Sequence, residues 1–325
     1  MKLEEHLVVS WTMHEYLEAV QSDEFYEKVE GVLEMDLDSL SPRLREWGIE
    51  MTQTASSKEA RVRQKHYLAG GSCRYMFEMT ADTVLEVIDR ALLSSPDLEL
   101  IFRGSIGPSS MQIVNRLIAT FKIDGVVSWL PVSMYVSWRL MLQVEEEELT
   151  RICSKFGTRS AAVKGTLFEL MFFKEVQRGL RLTYRRKRSR PIKARPWESR
   201  SIVFFDPLQL KISLPTTSVC FRPISELQGG YDAVIVDKDA KRAVFVQVTV
   251  AEKHSLKLSF FLDTLRALGI PAGLVWKVEI IFLIPRERMP VFRISPVEDC
   301  GALETYGWKK GEERKQAKVA CLTLN

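Results

Sequence analysis

The sequence predicts an α/β protein in two parts, a mostly helical N-terminal region over residues 1–155 and an α/β domain over residues 156–325. Three observations lead there. Apolar residues recur at helical spacing through the first half, as in Trp11, Tyr16, Leu17 and Val20, and again in Val84, Val87, Ile88 and Leu92. Short β-branched runs dominate the second half. Between them, RICSKFGTRS at 151–160 loses periodicity and turns polar, which marks a boundary. The 325 residues also exceed the roughly 100–200 that one domain usually holds.

In the first region, Thr12 followed by Glu15 has the spacing of a capping box, and Gly70-Gly71 breaks one helix from the next. Residues 98–102 read as a short strand and 111–121 as a helix. From 126 to 144 aromatic residues interleave with Ser and Pro, as in a small winged or β-ended module. The acidic run 145–148 reads as a solvated helix face. In the second region 161–178 keeps helical spacing, and strands are expected at 202–205, 210–214, 233–236, 243–250 and 278–284. An amphipathic helix over 255–268, stopped by Gly269 and Pro271, precedes the last strand. Helix, strands, helix, strand is the order of a sheet covered by helices.

Composition excludes several functions. No apolar run reaches the ~20 residues that cross a bilayer, and the opening MKLEEHLVVSWTMHEY has no signal-peptide core. Neither a membrane partner nor a secretion header within this chain is expected. Cys73, Cys153, Cys220, Cys300 and Cys321 are scattered without a CxxC pair, which fits a reduced compartment and no zinc site. A net charge of +4 is too small to name a partner by itself. Without a GxxxxGK[ST] or GxGxxG motif, no ATP site is expected. Four histidines without HExxH, and no GxSxG, argue against metalloprotease and triad chemistry.

Residues 229–257, GGYDAVIVDKDAKRAVFVQVTVAEKHSLK, read as a β-hairpin turning at 237–242. In its second strand Val244, Val246, Val248 and Val250 face one side and Phe245, Gln247 and Thr249 the other. Polar groups on such a strand need partners. Antiparallel pairing brings Asp232 towards Gln247 and Thr249, where carboxylate, amide and hydroxyl oxygens, with the carbonyl of Val248, suit a hard cation such as Mg²⁺. Glu169, inside the apolar LFELMFF, is a third candidate that wants a cation, whether a metal or a basic side chain.

This order, with Glu169 on the helix, Asp232 opening the hairpin and Gln247-x-Thr249 on the next strand, resembles the PD-(D/E)xK restriction-endonuclease-like core. YDAVIVD and FVQVTVAEKHSLK resemble the C-terminal domain of Crinkler and retrotransposon-hot-spot effectors. Upstream, SWTMHEYLEAV and AGGSCRYMFEMT resemble the region that follows their ATPase core. The resemblance implies an ATPase-distal helical region, winged-helix-like in part, and a Mg²⁺-dependent nuclease domain. It gives Glu169 the helix acid, Asp232 the metal-binding aspartate and Gln247 the second acid's place. Thr249 stands where the usual lysine would be, so Lys253, His254 or Lys257 would reach back from the next helix to supply the cation. A neutral Gln247 weakens metal binding.

Between Arg181 and Arg200 lie nine Lys or Arg residues and one acid, Glu198. The cluster Arg185, Arg186, Lys187, Arg188, Arg190 and Lys193 suits phosphate contact or nuclear import, against the plainer reading of a solvated loop. The expected partner is nucleic acid, double-stranded DNA foremost, with host nuclear proteins as further partners and the host nucleus as location. The alternative to a nuclease is a catalytically inactive module that binds DNA or a host protein through the same fold.

Overall fold

The computed structural model describes residues 9–51, 55–94, 116–123, 125–145, 147–148, 151–152, 161–185, 195–208, 214, 216–224 and 229–323. They divide into two compact units, Met1–Arg43 with Thr54–Lys164, and Leu44–Gln53 with Gly165–Asn325.

The first unit begins with α1 (Met13–Ala19), α2 (Asp23–Leu33) and α3 (Leu37–Arg45). The capping box forms as the sequence predicts: Glu15 N–H donates to the Thr12 hydroxyl at 3.3 Å, and Thr12 N–H donates to the Glu15 carboxylate at 2.7 Å. Then β1 (Glu50–Met51) belongs to the second unit and its sheet, and the first unit goes on with α4 (Lys58–Ala69), α5 (Cys73–Phe77) and α6 (Ala81–Ser94). Tyr16 is wholly buried against His66 and Phe77. Lys65, also wholly buried, donates to the carbonyls of Val32, Met76 and Met79, each at 2.6 Å, so one ammonium ties α2 to the C-terminal end of α5 and the residues just after it. Gly70 ends α4 at φ +51°, where an added Cβ would lie 1.8 Å from the Val132 carbonyl oxygen; only glycine fits.

A hairpin of β2 (Ile118–Ile123) and β3 (Val126–Pro131) follows, then α7 (Met134–Gln143). The expected helix at 111–121 is therefore corrected over 118–121. Ile118 and Thr120 are β-branched, and the run pairs with β3 along its length. Residues 98–102 and 111–115 lie outside the described residues.

In the second unit α8 (Ala161–Arg178) precedes β4 (Arg181–Tyr184), β5 (Arg195–Pro196), β6 (Ile202–Phe205), β7 (Val219–Pro223), β8 (Ala233–Asp237), β9 (Arg242–Val248) and β10 (Lys253–Lys257). Then come α9 (Leu258–Ala267), β11 (Lys277–Leu283), β12 (Arg293–Glu298), a short α10 (Glu313–Gln316) and β13 (Lys318–Leu322). The sheet runs β1-β6-β7-β8-β9-β11-β13-β4-β5. Strands β7, β8 and β9 form an antiparallel meander, and β11 lies parallel to β9 after the α9 crossover. One face carries Phe205, Phe221, Val234, Phe245, Ile280 and Phe282, packed with Phe261 and Leu265 of α9. Residues of the other parity, such as Arg222, meet Phe173 of α8. The helix expected at 255–268 is shorter than its apolar pattern: residues 253–257 form β10, which pairs in parallel with β12. Residues 210–213 of the strand expected at 210–214 are outside the described set.

Candidate active site

The turn into β8 sets the site. Tyr231 points into the core, its hydroxyl 2.6 Å from that of Thr264 on α9. The next residue, Asp232, meets the end of β9 instead. Its Oδ2 accepts from Gln247 Nε2 at 2.7 Å and from the Val248 N–H at 2.6 Å. Both donors reach the same oxygen, which leaves Oδ1 to a ligand. Gln247 Nε2 also leans towards the Val248 carbonyl at 3.4 Å. Gln247 is buried, so the polar residue of an otherwise apolar strand has its partner, and the partner is the one the sequence predicts.

Glu169 approaches from α8. Its carboxylate takes a 2.7 Å charge-assisted hydrogen bond from Arg222 of β7, whose guanidinium lies 4.1 Å from the Phe173 ring centroid. Burial, and then the charge of Glu169, push the Asp232 acid up to about 8; the Val248 N–H and Arg222 pull the other way. Two acids held near each other in a dry setting, one reluctant to ionise, form a pair that a divalent cation would relieve. Asp232 Oδ1 and the carbonyl of Val248 are hard oxygens suited to Mg²⁺, so the residues present fit such an ion, in a set poor in charge. Among the described residues no three His, Cys, Asp or Glu side chains form a metal-holding group.

The structure therefore brings together Glu169, Asp232, Gln247 and Val248, but not the rest of the expected set. Thr249 is turned aside: its hydroxyl accepts from the Ala251 N–H at 3.2 Å in a local turn. Lys253 and His254 belong to β10 rather than to a helix start. His254 Nδ1 sits 2.8 Å from the Ser255 carbonyl, with its ring 5.7 Å from Phe282, and Lys253 lines a separate cavity. No hydrogen bond or ion pair among the described residues ties either side chain to Asp232. Of the basic cluster, Arg186, Lys187, Arg188, Arg190 and Lys193 lie outside the described residues; Arg185 is described, its guanidinium donating to the Phe292 carbonyl at 3.0 Å.

Sequence reasoning missed Arg222. Its signal was present, a lone cation inside the apolar VCFRP, but no strand was expected at 219–223 to make that cation a buried one. Comparison of the chain with protein-family models, with curated proteins and with solved structures finds no match.

Proposed function

We propose that the second unit is a divergent metal-dependent phosphodiester hydrolase of the PD-(D/E)xK kind, acting on nucleic acid, in a Crinkler-like effector whose target is host DNA in the nucleus. The observation that carries this reading is the meeting of Asp232, Gln247 and Val248 within hydrogen-bond distance, beside the charge of Glu169. The element order supports it as well: a helix bearing an acid, a three-stranded meander bearing Asp232 and Gln247, a crossover helix and a parallel strand.

A bound divalent ion would polarise the phosphate and lower the pKa of the attacking water. The chain's own part is positional. The Val248 N–H and the Gln247 amide orient the Asp232 carboxylate, so that Oδ1 is presented at a fixed angle. Arg222 fixes Glu169 beside it and limits the negative charge of the site. The basic residues from Arg185 to Lys193 would hold the phosphate backbone. The test is nicking of supercoiled plasmid with Mg²⁺ against EDTA, for the native chain and for Asp232→Ala. Metal-dependent nicking lost in the variant supports the hydrolase, and nicking that Asp232→Ala leaves unchanged refutes it.

One observation favours a second reading, a module that binds nucleic acid or a host protein without cleaving it. The place of the water-positioning lysine is held by Thr249, whose hydroxyl is engaged in a turn, and Arg222 already neutralises Glu169. Binding of plasmid without nicking in any divalent metal would decide for that reading.

A further inference from the structure

The second unit holds a cavity of about 1370 Å³ that shares no lining residue with the acid site. It is walled by the starts of β11, β12 and β13, by Tyr184 and Arg185 at the end of β4, and by Tyr306 and Trp308. The size exceeds the roughly 300–1,000 Å³ of ordinary ligand pockets. Its charge is one-sided: Arg185, Lys253, Lys277, Arg293, Arg314, Lys315 and Lys318 line it against one acid, Glu279. Glu279 is already committed, to Lys318, to Lys277 at 3.1 Å and to Arg242 at 3.1 Å. Arg185, Lys253, Arg293 and Arg314 form no ion pair among the described residues.

Two further features narrow the ligand. Arg185 is stacked 5.8 Å from the Phe292 ring and donates one nitrogen to the Phe292 carbonyl, while its Nε and other terminal nitrogen are shielded from solvent and lack a hydrogen-bond partner among the described residues. Those two nitrogens are closed to solvent, so what Arg185 offers the cavity is its positive charge and its remaining terminal nitrogen, a match for one oxygen of an anion such as a phosphate. The wall is also apolar and aromatic: Trp276, Trp308 and Phe292 form it, and Leu274, 83% exposed, stands at the rim. Inorganic anions gain nothing from such a wall. A ligand with a flat apolar face beside its phosphate does.

We infer that this cavity is a nucleotide site, with a phosphate on Arg185 and a base against the Trp276, Trp308 and Leu274 wall. The nucleotide is either free or the unpaired end of a nucleic-acid strand; both offer the same phosphate and base. The inference does not rest on the hydrolase reading, since it needs neither a metal nor Asp232.

The experiment is titration calorimetry of the full chain in EDTA with three probes: ATP, a 5′-phosphorylated thymidine pentanucleotide and inorganic phosphate. The native chain is expected to bind a nucleotide probe more tightly than inorganic phosphate. Loss of a charge-assisted contact in Arg185→Gln should weaken that binding by at least about tenfold. Arg314→Glu, at an exposed rim position where folding is not at stake, should weaken it too, and Asp232→Asn should leave it unchanged. ATP binding more tightly than the pentanucleotide assigns the site to a free nucleotide, and the reverse order assigns it to a strand end. The inference is overturned if neither nucleotide binds at millimolar concentration, if inorganic phosphate binds as well as they do, if both cavity variants bind like the native chain, or if Asp232→Asn abolishes binding. Absence of metal throughout keeps this outcome separate from the plasmid assay.

Discussion

Asp232→Asn should make the protein more stable in alkaline EDTA buffer, although it removes the residue on which the proposed chemistry rests. Burial and the neighbouring Glu169 charge raise the folded-state acid from 3.8 to about 8. Between those limits the folded chain keeps a proton that the unfolded chain has released. The contribution of this group to stability is thus full below about pH 4, falls as pH rises through the window, and levels off above about 8. At about 1.36 kcal/mol per pKa unit the shift sets a ceiling near 6 kcal/mol, and the partial exposure of Asp232 reduces the expected effect to about 2–3 kcal/mol. Asparagine with its carbonyl oxygen in the place of Oδ2 keeps both hydrogen bonds, from the Val248 N–H and from the Gln247 amide. Urea unfolding, followed by tryptophan fluorescence from pH 5 to 9, should show native stability falling by about 2–3 kcal/mol more than that of the variant. Millimolar Mg²⁺ at pH 8 should recover the loss in the native chain alone. Parallel pH profiles for the two proteins, or a native profile that rises across the window, would refute the buried, cation-seeking aspartate.

Lys65→Met should destabilise the first unit by about 3 kcal/mol, because three carbonyls lose their shared donor at a wholly buried position; hydrogen exchange of α4 and α5 reads the change. Gly70→Ala should cost a similar amount, since it adds a left-handed strain to a backbone clash at Val132, and should lower Tm by about ten degrees, on the order of a 3 kcal/mol loss. For Glu279, burial raises the acid but Lys318, Arg242 and Lys277 outweigh it, bringing it to about 2. The stability it supplies is therefore present above about pH 4.5 and lost as pH falls towards 2, and Glu279→Gln should flatten acid unfolding over that window.

What the sequence made legible were features coded locally. The capping box at Thr12 and Glu15 depends on three-residue spacing, and the hairpin at 233–248 on a polar turn between β-branched runs. Gln247 stood out because an amide in RAVFVQV must have a partner, and Asp232 was the oxygen that antiparallel pairing could supply. The strand β10 was not legible. LKLSFFLDTLRAL carries its apolar pattern back to Leu256, so helical period overran a five-residue edge element whose pairing partner, β12, lies some forty residues on. The nucleotide cavity was hidden for a similar reason. Lys253, Lys277, Arg293 and Lys318 sit singly at strand starts, where each alone reads as ordinary solvation, and only the packing of those four strands gathers them.

The charge balance of the acid site bears on how strongly it can hold a metal. In the pattern it resembles, three acids and a lysine leave a net charge of −2. Here Glu169 and Arg222 cancel while Asp232 keeps its proton, and the site reaches −1 only when Asp232 ionises, at about 8, with Gln247 and Thr249 neutral. The arginine is not in the lysine's position: it approaches from β7, on the Phe173 side, and is bound to the helix acid rather than to a water site. Without Arg222, Glu169 would face Asp232 unscreened and push its acid higher still; with a second acid in place of Gln247, the pocket would need a stronger cation than one guanidinium to stay folded. On the proposed hydrolase reading the site would stand without a metal and take one weakly, so hydrolysis should depend on divalent-ion concentration in roughly the millimolar rather than the micromolar range, an order of magnitude set by the low ligand charge.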